Sequence, residues 1–209
     1  MAIRVPPGRT GRLWLMRKLA IAARGVEVLD EKRQALVREQ RRLSQELDSA
    51  AATWEQRARL AAEWNDRALA LVGARRLRLA SLPREGSAEV AVDWRNVLGA
   101  ACPGEATIRV GPAPDYVALG GGAAVARAAS AHEQALAAAA ALAAARAAYG
   151  AVTRELVATT RRQRAIERRW IPEHEDALRR LELLLDQREL EDAARARKAA
   201  SSGRPAARR

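Results

Sequence analysis

Phenylalanine is missing from this chain of 209 residues, and five tryptophans with two tyrosines make up its whole aromatic content, 3%. Compact cores draw much of their buried area from large rings, so a core of that kind is excluded. A single cysteine, Cys102, rules out an internal disulfide framework and fits a reducing compartment. The longest uncharged run, Gln134 to Ala145, is 12 residues, short of the roughly 20 a membrane-spanning helix needs. Near the start, only Leu13-Trp14-Leu15-Met16 separates Arg12 from Arg17, too little for the apolar region of a signal peptide. The expectation is a soluble cytoplasmic chain that meets a membrane only through partners, with no direct insertion.

Catalytic patterns are lacking as well. There is no Gly-x-x-x-x-Gly-Lys-Ser/Thr loop to cradle a nucleotide. Gly120-Gly121-Gly122 has no following lysine and reads as a joint between elements. His132-Glu133 opens like a His-Glu-x-x-His zinc helix, but position 136 is leucine. His174 sits among Glu173, Glu175 and Asp176 with no second histidine or cysteine in reach, and reads as a solvated or seam position. No cofactor, no metal and no enzyme activity are expected of this chain alone.

What fills the sequence instead is alanine, leucine, arginine and glutamate, the composition of long helices and coiled coils. From Gly11 to Val72 there is no proline. Alternating steps of four and three from Leu15 to Leu71 visit 17 positions, of which 14 are apolar. A 3.5-residue repeat of that length calls for a left-handed supercoil against a partner helix. Arg33, Gln40 and Arg57 interrupt the stripe; polar groups at such positions cost stability and exclude slipped pairings. A second helical segment follows the glycines and runs to about Lys198, with 17 alanines among residues 123–148. Its stripe passes Leu142, Tyr149, Val152, Thr159, Gln163 and Ile166 to Trp170, then steps four again to His174. Two consecutive steps of four make a stutter, and Pro172 inside it predicts a kink.

Residues 73–122 are denser in proline and glycine and show a different period. Ala88, Val90, Val92 and Trp94 alternate with polar or small neighbours, and Ala106, Ile108 and Val110 follow more weakly. These predict a small β-hairpin with its turn near Gly99 to Gly104, and two strands alone need support from the helices or another subunit. The predicted fold is mainly α: a long antiparallel two-helix left-handed coiled coil with a β-hairpin head between the helices. Its parts are an N-terminal helix (1–72), a head with hairpin and linker (73–122), a C-terminal helix (123–198) and a disordered tail (199–209). Each helix would span on the order of 85 to 110 Å at 1.5 Å per residue. Such a rod transmits; it encloses little.

The net charge is +12, and it is uneven. Residues 1–25 carry six basic and no acidic side chains, and residues 123–209 carry 17 against 11. Side by side, the terminal stretches would form a basic tip that attracts acidic partners. Charge alone admits a basic coiled-coil nucleic-acid binder, and the heptads alone admit a scaffold. Aromatic stacking platforms and known DNA-binding motifs are missing, however.

Three separated blocks share an order and spacing that is specific. The first is Val5-Pro6-Pro7-Gly8-Arg9, then Ala22-Ala23-Arg24-Gly25 and Glu31-Lys32-Arg33-Gln34-Ala35-Leu36. The second is Arg95-Asn96-Val97-Leu98-Gly99 with Pro103 following. The third is Thr160-Arg161-Arg162-Gln163-Arg164-Ala165-Ile166-Glu167, then Ile171-Pro172 and Leu185-Asp186-Gln187-Arg188-Glu189-Leu190-Glu191. Together the three blocks resemble the D subunit of the V/A-type rotary ATPases, from whose pattern Gly8, Asp30, Gln34 and Gln163-Arg164 depart. The resemblance implies a central rotor shaft in the bore of a hexamer of catalytic A and nucleotide-binding B subunits. It also implies a small F subunit on the lower part, a funnel subunit beneath on the membrane ring, and a peripheral place on the cytoplasmic side. ATP hydrolysis or synthesis in the hexamer would be coupled to proton or sodium transport, with the nucleotide sites belonging to the hexamer. Arg9, Arg161, Arg162, Arg164, Arg168 and Arg169 are the expected rotor–stator contacts, and no nucleic acid is expected.

Overall fold

The computed structural model describes residues 4–81, 88–111 and 122–202. The chain is mainly helical, with a two-stranded antiparallel hairpin between helices. Helix α1 spans Arg9–Ala80 and leaves helical geometry at Gly73 (φ 75°, ψ 159°), a conformation that costs glycine little and other residues much. The buried apolar residues of α1 before that point are Leu15, Leu36, Leu43, Ala61 and Ala68, and all lie on the predicted stripe. Trp54 and Leu71 do not follow it: they are 38% and 74% exposed, and Val72 packs inward in place of Leu71. In the last turn before the break, nothing holds the helix to a 3.5-residue period.

The hairpin joins β1 (Glu89–Val97) to β2 (Ala100–Arg109). Its turn is shorter and earlier than the glycine spacing suggests. Leu98 (φ 52°) and Gly99 (φ 90°) form a two-residue loop with both φ angles positive, the type I′ pattern whose twist matches the strands. The side chain of Asn96 accepts a hydrogen bond from the Gly99 N–H at 2.9 Å. Pro103 and Gly104 therefore lie inside β2. The register slips between Val92 and Trp94, an irregularity of the kind that admits a proline and a glycine within a strand.

Helix α2 (Gly122–Ala165) continues through a π-helical turn, Ile166–Trp170, into α3 (Ile171–Ser202). The predicted stutter is this turn. Consecutive steps of four ask for more residues per turn than 3.6, and a π-turn provides them. The Ile171 N–H reaches back to the Ile166 carbonyl, and Pro172, which has no N–H to give, follows directly. The helix widens here, just ahead of the proline. Helix α3 runs four residues into the stretch expected as a tail, and residues 203–209 lie outside the described residues, as do Gly120 and Gly121. One helical stretch within Gly122–Ala199 is long and apolar enough by composition to cross a membrane; its apolarity is largely that of the alanine run.

The chain divides into two compact units, residues 1–33 with 158–209, and residues 34–157. In the first, Arg12 pairs with Glu182 and Asp30 with Gln163, so its two arms run antiparallel. In the second, Gln40 pairs with Thr153 and Arg57 with Gln134, again antiparallel. The main core of the second unit joins Leu36 and Leu43 to Ala148 and Val152, and Ala100 and Cys102 of β2 close over it with Val97. This is how a two-stranded sheet obtains the support it lacks alone.

Candidate functional site

The surface that stands out chemically is the arginine-rich stretch of the first unit. That unit has 22 basic and 12 acidic side chains, against 15 and 13 in the second. Arg161, Arg164 and Arg168 are three and four residues apart, on the helix face opposite Gln163 and Ile166, and all three are exposed. Arg162 and Arg169, seven apart, form a second exposed row. Two of the six predicted contact residues are engaged within the chain: Arg9 with Glu189 at 2.9 Å and Arg169 with Glu173 at 3.2 Å. Both pairs are largely exposed, so each holds its partner weakly. Arg161, Arg162, Arg164 and Arg168 make no ion pair among the described residues.

Beneath these cations the seam is polar and ordered. Gln163 donates to Asp30 at 3.4 Å and to Glu167 at 3.0 Å, and Asp30 also receives Arg33, at 2.7 Å. Thr159 is fully buried. His174 is buried, stacks on the Trp170 ring at 3.6 Å, and places Nδ1 2.8 Å from the Trp170 carbonyl. A carbonyl only accepts, so Nδ1 carries the proton. The π-turn, the stack and the arginine rows occupy one short segment of helix.

The resembling positions fall mostly on structural devices. Asn96 and Gly99 build the hairpin turn, Glu167 braces Gln163, Arg33 braces Asp30, and Pro172 follows the π-turn. Lys32 and Thr160 are half-buried and engaged within the chain. Pro7 is exposed just ahead of α1. Gly25 is different: a Cβ placed there would meet nothing within 4 Å, so nothing among the described residues requires a glycine.

Sequence reading misses a cluster in the second unit. Glu39 accepts from Arg42, which also reaches Glu46. The Arg42 hydrogen bond, aided by the charges of Arg42 and of Arg95 on β1, holds the Glu39 carboxyl below its ordinary value despite partial burial. Cys102 lies fully buried beside it, and burial pushes its thiol up. The cluster is not legible in sequence because its members come from α1 and from both strands, with no spacing to announce them. Among the described residues, no group of three or more His, Cys, Asp or Glu is placed to hold a metal ion.

The family model for the D subunit of ATP synthase covers residues 13–201, taking in both arms and the hairpin. No curated protein matches the chain.

Proposed function

Because the chain belongs to the ATP synthase D subunit family, which makes it a stalk subunit of a rotary ATPase complex and not a catalytic one, we propose that it is the central shaft of a V/A-type machine. It turns inside a hexamer of catalytic A and nucleotide-binding B subunits. It carries the small F subunit and rests on the funnel subunit of the membrane ring. It lies on the cytoplasmic side without inserting in the bilayer, and it couples ATP hydrolysis or synthesis to proton or sodium movement.

The observation that carries this reading is the combination of exposed arginine rows with a polar, register-fixing seam on antiparallel arms. A shaft influences a catalytic site only by interacting differently with the site's alternative conformations. Exposed guanidinium groups on a fixed backbone provide such an interaction without large contact area. The paired seam keeps the arms from sliding while load is applied. Gly25 supports the same reading, since a glycine with open space before it, on an otherwise helix-favouring segment, lets another backbone approach closely.

A nucleic-acid partner is the weaker alternative, because a basic surface explains charge but not the family match. Co-purification decides between them. The proposed shaft brings down a nucleotide-binding hexamer and one small stalk subunit in amounts equal to itself. Salt-sensitive retention of nucleic acid without any ATPase subunit would refute the shaft.

A further inference from the structure

We propose that an open groove in the second unit seats an acidic, amphipathic helix of another subunit. The groove is about 650 Å³ and lies between the end of α1 and the start of α2. Because α1 leaves helical geometry at Gly73, Leu77 and Ala80 come against Ala68, Val125 and Ala128. α2 is thin here: the groove residues Ala128 and Ala129 are flanked by Val125 and Leu136, with His132 between. These positions recur at three- and four-residue steps from 125 to 136, a stripe about 16 Å long at 1.5 Å per residue. Its length matches about three turns of a helix laid into a trough, the geometry of helix-in-groove recognition.

Val125 and Ala128 at the floor are already covered by α1, and the larger apolar side chains above them are not. Leu69 is 41% exposed and Leu136 44%, and both face the groove. Large apolar side chains bordering one hollow mark a contact surface more often than chance exposure does. Charge names the occupant. The segment from Ala74 to Ser81 carries Arg75, Arg76 and Arg78 with no acid, all three are exposed, and Arg78 stands at the rim. The one acid lining the groove, Glu133, is already engaged within the chain. A helix with leucine-like residues on one face and carboxylates along its flank satisfies both wall and rim.

This inference rests on the stalk reading, which supplies the other subunits. The test places a photo-crosslinking amino acid at Leu69 or Leu136 in the chain within the assembled ATPase complex, with crosslinked peptides identified by mass spectrometry. Both positions are expected to join the same acidic-flanked helical segment of a different subunit. Arg78→Glu should lower the yield on the order of tenfold while Arg78→Lys preserves it. Crosslinks only to residues 82–87 or 112–121 of the same chain, to a second copy, or to nothing would overturn the groove's role with the stalk reading intact. A chain that never assembles with a hexamer would overturn both.

Discussion

Gln40 on α1 and Thr153 on α2 meet side chain to side chain, with Nε2 donating to Oγ1 at 2.9 Å across a seam whose neighbours are apolar. A slip by one heptad step would leave both groups facing hydrocarbon, and an unpaired buried polar group costs about 1–3 kcal/mol. The pair therefore specifies register. Gln40→Ala and Thr153→Ala should each destabilise the second unit, and the double variant by less than their sum. A coupling of about 1 kcal/mol in a double-mutant cycle by denaturant unfolding is expected; additive losses would show that the two do not act together.

Leu98 holds a positive φ that a branched side chain adopts at a cost, next to a glycine that adopts it freely. Leu98→Asn converts the turn to Asn-Gly, the preferred type I′ sequence. The side chain at Leu98 is 42% exposed, so little packing is lost. A gain of about 0.5–1 kcal/mol in hairpin stability is expected, read as slower amide exchange in β1 and β2. Gly99→Val should do the reverse.

The π-turn makes an unusual prediction about deletions. A π-turn holds one residue more than the α-helical path it replaces. Removing Arg168 together with Pro172→Ala should convert Ile166–Trp170 to ordinary helix and leave the packing of α3 in phase. Removing Arg146, in regular α-helix, rotates everything beyond it by about 100° and should unfold the second unit's core at Ala148 and Val152. Thermal unfolding of the two deletions separates them: near wild-type for the first, strongly lowered for the second.

Two groups in the hairpin cluster give the chain a pH signature. The Glu39 carboxyl is held below 4.5, first by its hydrogen bond from Arg42. Its contribution to stability is complete above that value and disappears as pH falls through the lower folded-state value. Glu39→Gln should flatten the loss of stability below about pH 4.5, by less than about 1 kcal/mol given its partial exposure. Burial raises the Cys102 thiol, so its contribution is complete below the unfolded-state value and lost as pH rises through the folded one. At mildly alkaline pH a thiol reagent should label Cys102 slowly in the native chain and at once after denaturation. Leu43→Ala, which removes a core neighbour, should speed the native reaction.

Much of this fold is written locally, and what is not local cannot be read from spacing. The buried apolar residues of α1 before Gly73 fall on the 3.5-residue stripe because one helix face repeats along the sequence. The stutter at Trp170 and His174 announces an irregular turn, and the backbone widens there into a π-turn. The hairpin turn lies earlier than its composition suggests. Pro103 and Gly104 look like loop residues, and only strand pairing shows that they occupy an irregular stretch of β2. The arginine rows are visible as a run, but the pairing of Arg9 with Glu189 joins opposite ends of the chain and has no local signal. The Glu39–Arg42–Arg95 cluster and the groove beside Gly73 likewise depend on elements far apart in sequence, for which no periodicity exists.

The most direct test of the shaft is observation of its motion. The hexamer is fixed to a surface and a bead is attached to an exposed hairpin position, Trp94→Cys in a Cys102→Ala background, 65% exposed in the wild-type residue. On addition of ATP, the account predicts stepwise rotation in one direction, with pauses at the equivalent catalytic sites, and loss of that directionality when Arg161, Arg162, Arg164 and Arg168 are all reversed to glutamate. A bead that stays still or only jitters while the hexamer hydrolyses ATP at its full rate would contradict it.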